Sequence, residues 1–274
     1  MAVKCGGYSA SGKSTCDRGM QIDLSQFRDV RVDPSARTAR VTGRSLLGLL
    51  DHEAMAHDLV VPMGTVSHTG VGGLVTGGGF GCLAQHFGLS VDNLLAVDVV
   101  TADGELRHAS ADENPDLFWG VRGGGGNFGI VTSFEFRLHP MQRQILGGAI
   151  MFPMSMARDV LTLYGDYGPE QPDELQLDLV MAFVTGIPTG LVDALVEGFE
   201  GHPDRTTQVV FQQSGGRIAR VASDATAFVQ RDAVANMLPS VGWASGSTAM
   251  MATPKPPKRP WRRTTERTWR GSRR

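Results

Sequence analysis

The stretch Gly64–Gly81 reads GTVSHTGVGGLVTGGGFG, and 8 of its 18 residues are glycine. Gly120–Gly129 reads GVRGGGGNFG, with glycine at 6 of 10 positions. Glycine costs backbone entropy in either regular structure, so both stretches are expected to be neither helix nor regular strand. Chain of this kind brings bare backbone close to a neighbour, or supplies positive φ.

Working outward, period-two alternation marks strands at Met20, Ile22 and Leu24, at Val30 and Val32, and at Ala39 and Val41. DPSAR separates the last two as a turn. Leu46, Leu49, Leu50 and Ala54 fall at helical spacing and predict a helix over Ser45 to Asp58. A helical turn is expected at Leu83 to Phe87. Leu94 to Thr101 predicts a strand, followed by the turn ADGE with a positive-φ glycine. Pro115 to Val121 predicts a short helix with Asn114 as N-cap and Pro at N1. Ile130 to Leu138 alternates as a strand. After Pro140 the glycine clusters end. Helices are expected at Ala157 to Tyr164 and Gly190 to Gly198, and a strand at Leu175 to Val184. The expected division is 1–140, 141–250 and a tail, 251–274.

The chain has 274 residues, 41% hydrophobic and 20% charged, which excludes a disordered polymer. No apolar run approaches the roughly 18 residues of a membrane-spanning helix. Cys5, Cys16 and Cys82 are too few for a disulfide framework or a zinc site, and no secretory segment is visible, so a cytoplasmic protein is expected. The net charge of −2 is uneven. Ala252–Arg274 carries nine Lys/Arg and one Glu, leaving 17 basic against 27 acidic residues elsewhere. The acidic body gives no electrostatic basis for nucleic-acid binding, and the Pro- and Arg-rich tail reads as disordered.

Three motifs bear on chemistry. Gly7–Ser14, GYSASGKS, matches the phosphate-binding pattern of P-loop kinases, with Lys13 as its lysine. That pattern needs a helix after the loop, whereas the following TCDRGMQIDLS alternates as a strand. Gly124-x-Gly126-x-x-Gly129 matches a dinucleotide fingerprint, but in the order helix, loop, strand, the reverse of what that site requires. The third is the two glycine clusters taken with Lys4–Ser9, KCGGYS. Together they could enclose a long, thin anion whose phosphates meet bare amides, which suits an acidic body. Tight turns of a glycine-rich sheet protein are the alternative.

The sequence from Gly64 through Pro140 resembles the flavin-binding domain of the berberine-bridge-enzyme-like oxidoreductases, within the vanillyl-alcohol-oxidase or PCMH-type superfamily. The likeness extends weakly back through DPSARTARVTG to VKCGGYS, and onward to GGRIARVASDATAFVQRD (Gly215–Asp232). The resemblance implies an α+β fold: a PCMH-type domain of two α/β subdomains, the first incomplete, then a partial antiparallel-sheet substrate domain. It implies FAD as cofactor, held by Lys4, Cys5, Gly6, Gly7, Tyr8 and Ser9 in a pyrophosphate loop. Gly64, Thr65, Ser67, His68, Gly70, Val71, Gly72 and Gly73 would form a second loop. Gly77 and Gly79, then Gly126, Gly129, Ile130 and Val131, would lie along the flavin. The implied reaction is hydride transfer from an alcohol, amine or sugar-like carbon, with oxygen as acceptor.

Tyr8 stands where family members often carry the histidine that bonds FAD, and Val66 where some carry a cysteine, so the resemblance implies non-covalent FAD. Against the family pattern the chain starts inside the strand leading to the first loop and changes composition after about Ser247. The expectation is a domain truncated at both ends. A non-catalytic remnant with weak flavin binding and, less favoured, a P-loop kinase are the alternatives. The open subdomain predicts a homo-oligomer or a strand-supplying partner. The expected ligand besides FAD is a small-molecule substrate, with no nucleic acid, membrane or metal. No catalytic acid or base is singled out among Tyr164, Tyr167 and His139.

Overall fold

The computed structural model describes residues 1–9, 12–147, 150, 152, 156–177, 190, 193 and 205–243. A five-stranded antiparallel sheet forms its centre, in the order β3, β4, β8, β6, β7. These strands are Val30–Asp33, Thr38–Thr42, Ile130–Arg137, Leu94–Val100 and Leu106–Ser110. β3 and β4 form a hairpin with Val30 opposite Val41 and Arg37 at φ 52° in the turn. β6 and β7 form another, turned at Gly104 with the expected positive φ of 84°. β8 sits between the hairpins with Phe134 facing both Val41 and Val97, and its pairing with β6 shifts register twice.

One face of this sheet is closed by α1 (Leu47–Met55) and α2 (Val71–Thr76). Leu47, Leu50, Val71 and Val75 share a core with Ala39, Val41, Phe134 and Phe136, all at most 1% exposed. Outside the sheet, β1 (Ala2–Lys4) pairs parallel with β2 (Gln21–Asp23), and β5 (Leu59–Val60) pairs with β9 (His139–Pro140). The short helices α3 (Ala84–Phe87) and α4 (Pro115–Val121) flank the sheet. After Pro140 come α5 (Ala157–Tyr167), β10 (Arg205–Gln213), α6 (Gly216–Ala219) and β11 (Ala235–Trp243). β10 and β11 pair antiparallel over nine residues.

The expected strands and helices up to Leu138 are present, with two differences of physical interest. The glycine cluster contains a helix, α2, contrary to the expectation from its composition. Burial of Val71 and Val75 in the core outweighs the poor propensity of Gly72 and Gly73, as tertiary packing commonly does for short helices. Asn114 does occupy the N-cap of α4, but at φ 48° and without capping. Its side-chain amide donates instead to the carbonyl of His108 at 2.6 Å. β7, β10 and β11 were not anticipated. Leu175 to Leu177 is not strand, and the rest of that expected strand lies outside the described residues. Of the expected helix at Gly190 to Gly198, only Gly190 and Asp193 are described, both helical.

Residues 215–231 return to the first part of the chain. Ile218 belongs to the same hydrophobic core, and Phe228 packs against it. A β-carbon at Gly78 or Gly123 would strike Phe228. Trp119 on α4 donates its indole N–H to the carbonyl of Asp224 at 2.6 Å. Trp119→Phe keeps the ring and removes that bond, so thermal unfolding should report a loss of about 1 kcal/mol. An unchanged melting temperature would show that the contact carries no net stability.

Candidate cofactor-binding site

Glycine contacts bring the three singled-out segments into one place. Gly6 and Gly70 lie main chain to main chain, and a β-carbon on either would collide with the other. Gly72 is fitted against the carbonyl of Gly43, and Gly43 against the carbonyl of Val131. The first loop, the start of α2 and the start of β8 are therefore mutually braced. Close approach of backbones requires glycine here for lack of room, independently of any positive φ.

Cys5 is turned into this junction. Its thiol donates to the carbonyl of Gly43 at 2.7 Å, and the N–H groups of Gly72, Gly73 and Gly6 turn toward its sulfur. Burial pushes the thiol pKa up, partly offset by those amides and by Arg44. The N–H of Val71 donates to the carbonyl of Ser45 at 2.9 Å. The first amides of α2 thus have partners within the chain, and Cys5 serves as a packing and hydrogen-bonding residue. Lys4 pairs with Asp23 at 3.0 Å, fastening β1 to β2.

Outside this junction the two loops present an exposed surface. Gly7, Tyr8 and Ser9 lie beside Thr65, Ser67 and His68, all exposed. The rings of Tyr8 and His68 meet edge to face, with centroids 5.0 Å apart. The N–H groups of Gly7, Tyr8, Ser67 and His68 have no hydrogen-bond partner among the described residues. Gly7 has φ 73°, and a β-carbon on Gly73 would meet nothing within 4 Å. A cleft of about 380 Å³ adjoins Ser67 and His68, lined also by Arg28, Leu46 and Leu49.

The remaining singled-out residues divide. Gly126 faces open space like Gly73. Gly77 caps α2. Gly79 is fitted against Ser90, and Gly129, at φ 143°, against the carbonyl of Val100. Gly64 packs on the side chains of Leu74 and Leu47. Ile130 and Val131 pair with Val100 and Val99 on β6. Many of these glycines therefore have a reason within the chain, and the outward-facing subset is smaller than the composition suggested.

The competing motifs lack their required context. Gly12–Thr15 is a turn, closed by the Thr15 N–H on the Gly12 carbonyl, and β2 rather than a helix is the next regular element. Gly124–Gly129 runs from α4 into β8, the wrong order for a dinucleotide fingerprint. Tyr164 is buried and donates to the carbonyl of Leu177, which gives it a structural role. His139 is bonded to Asn93 and stacked on Phe87, and Tyr167 is exposed. Among the described residues no cluster of His, Cys, Asp or Glu is placed to hold a metal, and no helix is long and apolar enough to cross a membrane.

The exposed surface suits a long dianion. Unpartnered N–H groups of two braced loops are of the kind that donate to phosphate oxygens without basic side chains, and open-faced glycines leave unfilled space beside them. Residues 1–110 match the FAD binding domain family. The chain is 39% identical over 165 residues to an FAD-linked oxidoreductase of Dictyostelium discoideum, covering 60% of this chain and 36% of that protein. It is 37% identical over 157 residues to the (R)-6-hydroxynicotine oxidase of Paenarthrobacter nicotinovorans, covering 57% and 34%. The chain thus spans about a third of the length of these relatives. Its fold resembles glucooligosaccharide oxidase from Acremonium strictum, with TM-score 0.74, 21% identity, and coverage of 92% of this chain and 71% of that one. Residues 1–110 of this chain thus match the FAD binding domain family, and the relatives it is similar to are named FAD-linked oxidoreductases and oxidases.

Proposed function

We propose that this chain binds FAD without a covalent bond and serves an oxidase reaction on a small molecule, drawing hydride from an alcohol, amine or sugar-like carbon with oxygen as acceptor. The observation that carries the reading is the Gly6–Gly70 junction, which joins the two loops whose exposed Gly7, Tyr8, Ser67 and His68 have N–H groups without a partner among the described residues. These groups would hold the pyrophosphate. Gly73 and Gly126 would leave the adjoining surface open to the rest of the cofactor. When bound, the flavin supplies a two-electron acceptor, and the chain's part is binding and orientation.

The breadth of the substrate class follows the relatives: one is named for a hydroxynicotine, a structural neighbour for glucooligosaccharides. That neighbour is described with a 6-S-cysteinyl, 8α-N1-histidyl FAD. By the family resemblance Tyr8 and Val66 would take those attachment positions here, and the Tyr8 ring leans on His68. Tyr8 therefore contributes a ring contact and an amide in place of an attachment point.

The test is reconstitution of the full chain with FAD, acid precipitation, and a visible spectrum of both fractions. Flavin should be taken up and then recovered in the supernatant. Yellow precipitate would overturn the non-covalent reading, and no uptake would overturn the site itself. Peroxide release across a panel of hydroxynicotine-type amines and oligosaccharides would then select the substrate class.

A further inference from the structure

A second cavity, of about 320 Å³, is lined by His86, Arg122, Arg137, His139, Arg217 and Asp92, among others. It lies at the end of β8 opposite Val131. Six residues of strand separate Arg137 from Val131, roughly 20 Å. Five elements build it: α3 brings His86, the end of α4 brings Arg122, the end of β8 brings Arg137, β9 brings His139, and α6 brings Arg217.

Its charge is unbalanced. Asp92 is the one carboxylate among the lining residues, and Arg231 already holds both of its oxygens, at 2.7 and 2.8 Å. The neighbouring Asp173 is paired with Arg220. Among the described residues, Arg137 and Arg217 have no ion pair or side-chain hydrogen bond. Arg122 lies over the Phe118 ring at 4.2 Å and donates to the carbonyls of Phe118 and Ala225. The Nδ1 atom of His86 is buried without a partner among the described residues. Burial lowers the His139 pKa, and the charges of Arg137, Arg217 and His86, which line the same cavity, lower it further. Arg137 and Arg217 are exposed, so an anion reaches them from solvent, and one seated among these like charges would relieve their mutual repulsion.

We propose that this cavity binds a small organic oxyanion, a phosphate ester or a polycarboxylate, held between Arg122, Arg137 and Arg217 with His86 as a further partner. Guanidinium groups suit oxyanions because their planar donors match two oxygens at once. The volume is about ten times that of a water molecule, which leaves room for an organic portion beyond the charged head. The site is independent of the flavin surface.

The test is calorimetric titration of the full chain, with and without added FAD, using inorganic phosphate, glycerol phosphate and citrate. Ionic strength is held constant with potassium chloride. Saturable binding of at least one probe is expected. Arg137→Gln and Arg217→Gln should each weaken it about tenfold, while Arg40→Gln, on the sheet surface, should not. Preference for glycerol phosphate over citrate would assign a phosphoryl ligand, and the reverse a carboxylate. Heat effects no different from those of potassium chloride would overturn the proposal. So would full affinity in the Arg137→Gln, Arg217→Gln double variant, with circular dichroism confirming that each variant is folded.

Discussion

Arg231→Met is expected to destabilise the chain by about 3–5 kcal/mol, the cost of leaving one member of a buried ion pair without its partner. The Arg231 side chain is 4% exposed and that of Asp92 8%. The guanidinium also donates to the Thr226 hydroxyl at 2.7 Å and to the Phe228 carbonyl at 3.2 Å. Asp92 in turn accepts the Leu89 N–H at 2.9 Å. The pair joins residues 139 positions apart and fastens the returning segment to the sheet domain. Urea unfolding should show Asp92→Asn to be comparably harmful. The double variant Arg231→Met, Asp92→Leu should recover part of the loss, because neither charge is then stranded. A loss below about 1 kcal/mol in Arg231→Met would show that water screens the pair in solution. Limited proteolysis gives a second readout, since release of residues 215–231 would expose Ile218 and Phe228.

Local patterns that sequence exposes directly were legible. The alternation of Val30, Val32, Ala39 and Val41 and the run Ile130 to Leu138 marked strands because each buries one face of the sheet. The glycine clusters marked the loops that the fold gathers. What stayed hidden depends on distant partners. α2 was unreadable because its stability comes from burial of Val71 and Val75 in the shared core, and local propensity opposes it. The Asp92–Arg231 pair spans too many residues for any spacing rule. β10 and β11 support one another across a long connection, and neither alternates clearly in isolation. Cys5 read as a small packing residue within the expected ligand loop, and the fold also gives its sulfur the amides of α2 as partners. Composition also merged two kinds of glycine. Gly6, Gly70, Gly79 and Gly129 are small because chain or side chain touches them, whereas Gly73 and Gly126 face nothing. Only three-dimensional neighbours separate these classes.

That division yields the most discriminating pair of substitutions. Gly70→Val places a branched side chain against the main chain of Gly6 and the sulfur of Cys5. Backbone cannot retreat as the tip of a flexible side chain can, so the junction must open. The expected cost is about 3 kcal/mol, at the upper end for overpacking, with flavin uptake lost because the two loops no longer meet. Gly73→Leu meets nothing within 4 Å and replaces a poor helix former within α2. Its apo chain should unfold within about 1 kcal/mol of the parent, or slightly above it. Its FAD affinity should nevertheless fall tenfold or more, at least about 1.4 kcal/mol, because the new side chain fills space reserved for the ligand. Melting curves and flavin titration separate the two effects, one variant failing in the fold and the other in binding alone. Parental affinity in a stable Gly73→Leu would move the flavin off the open side of α2. Parental uptake in Gly70→Val would remove the loop junction as the basis of the site.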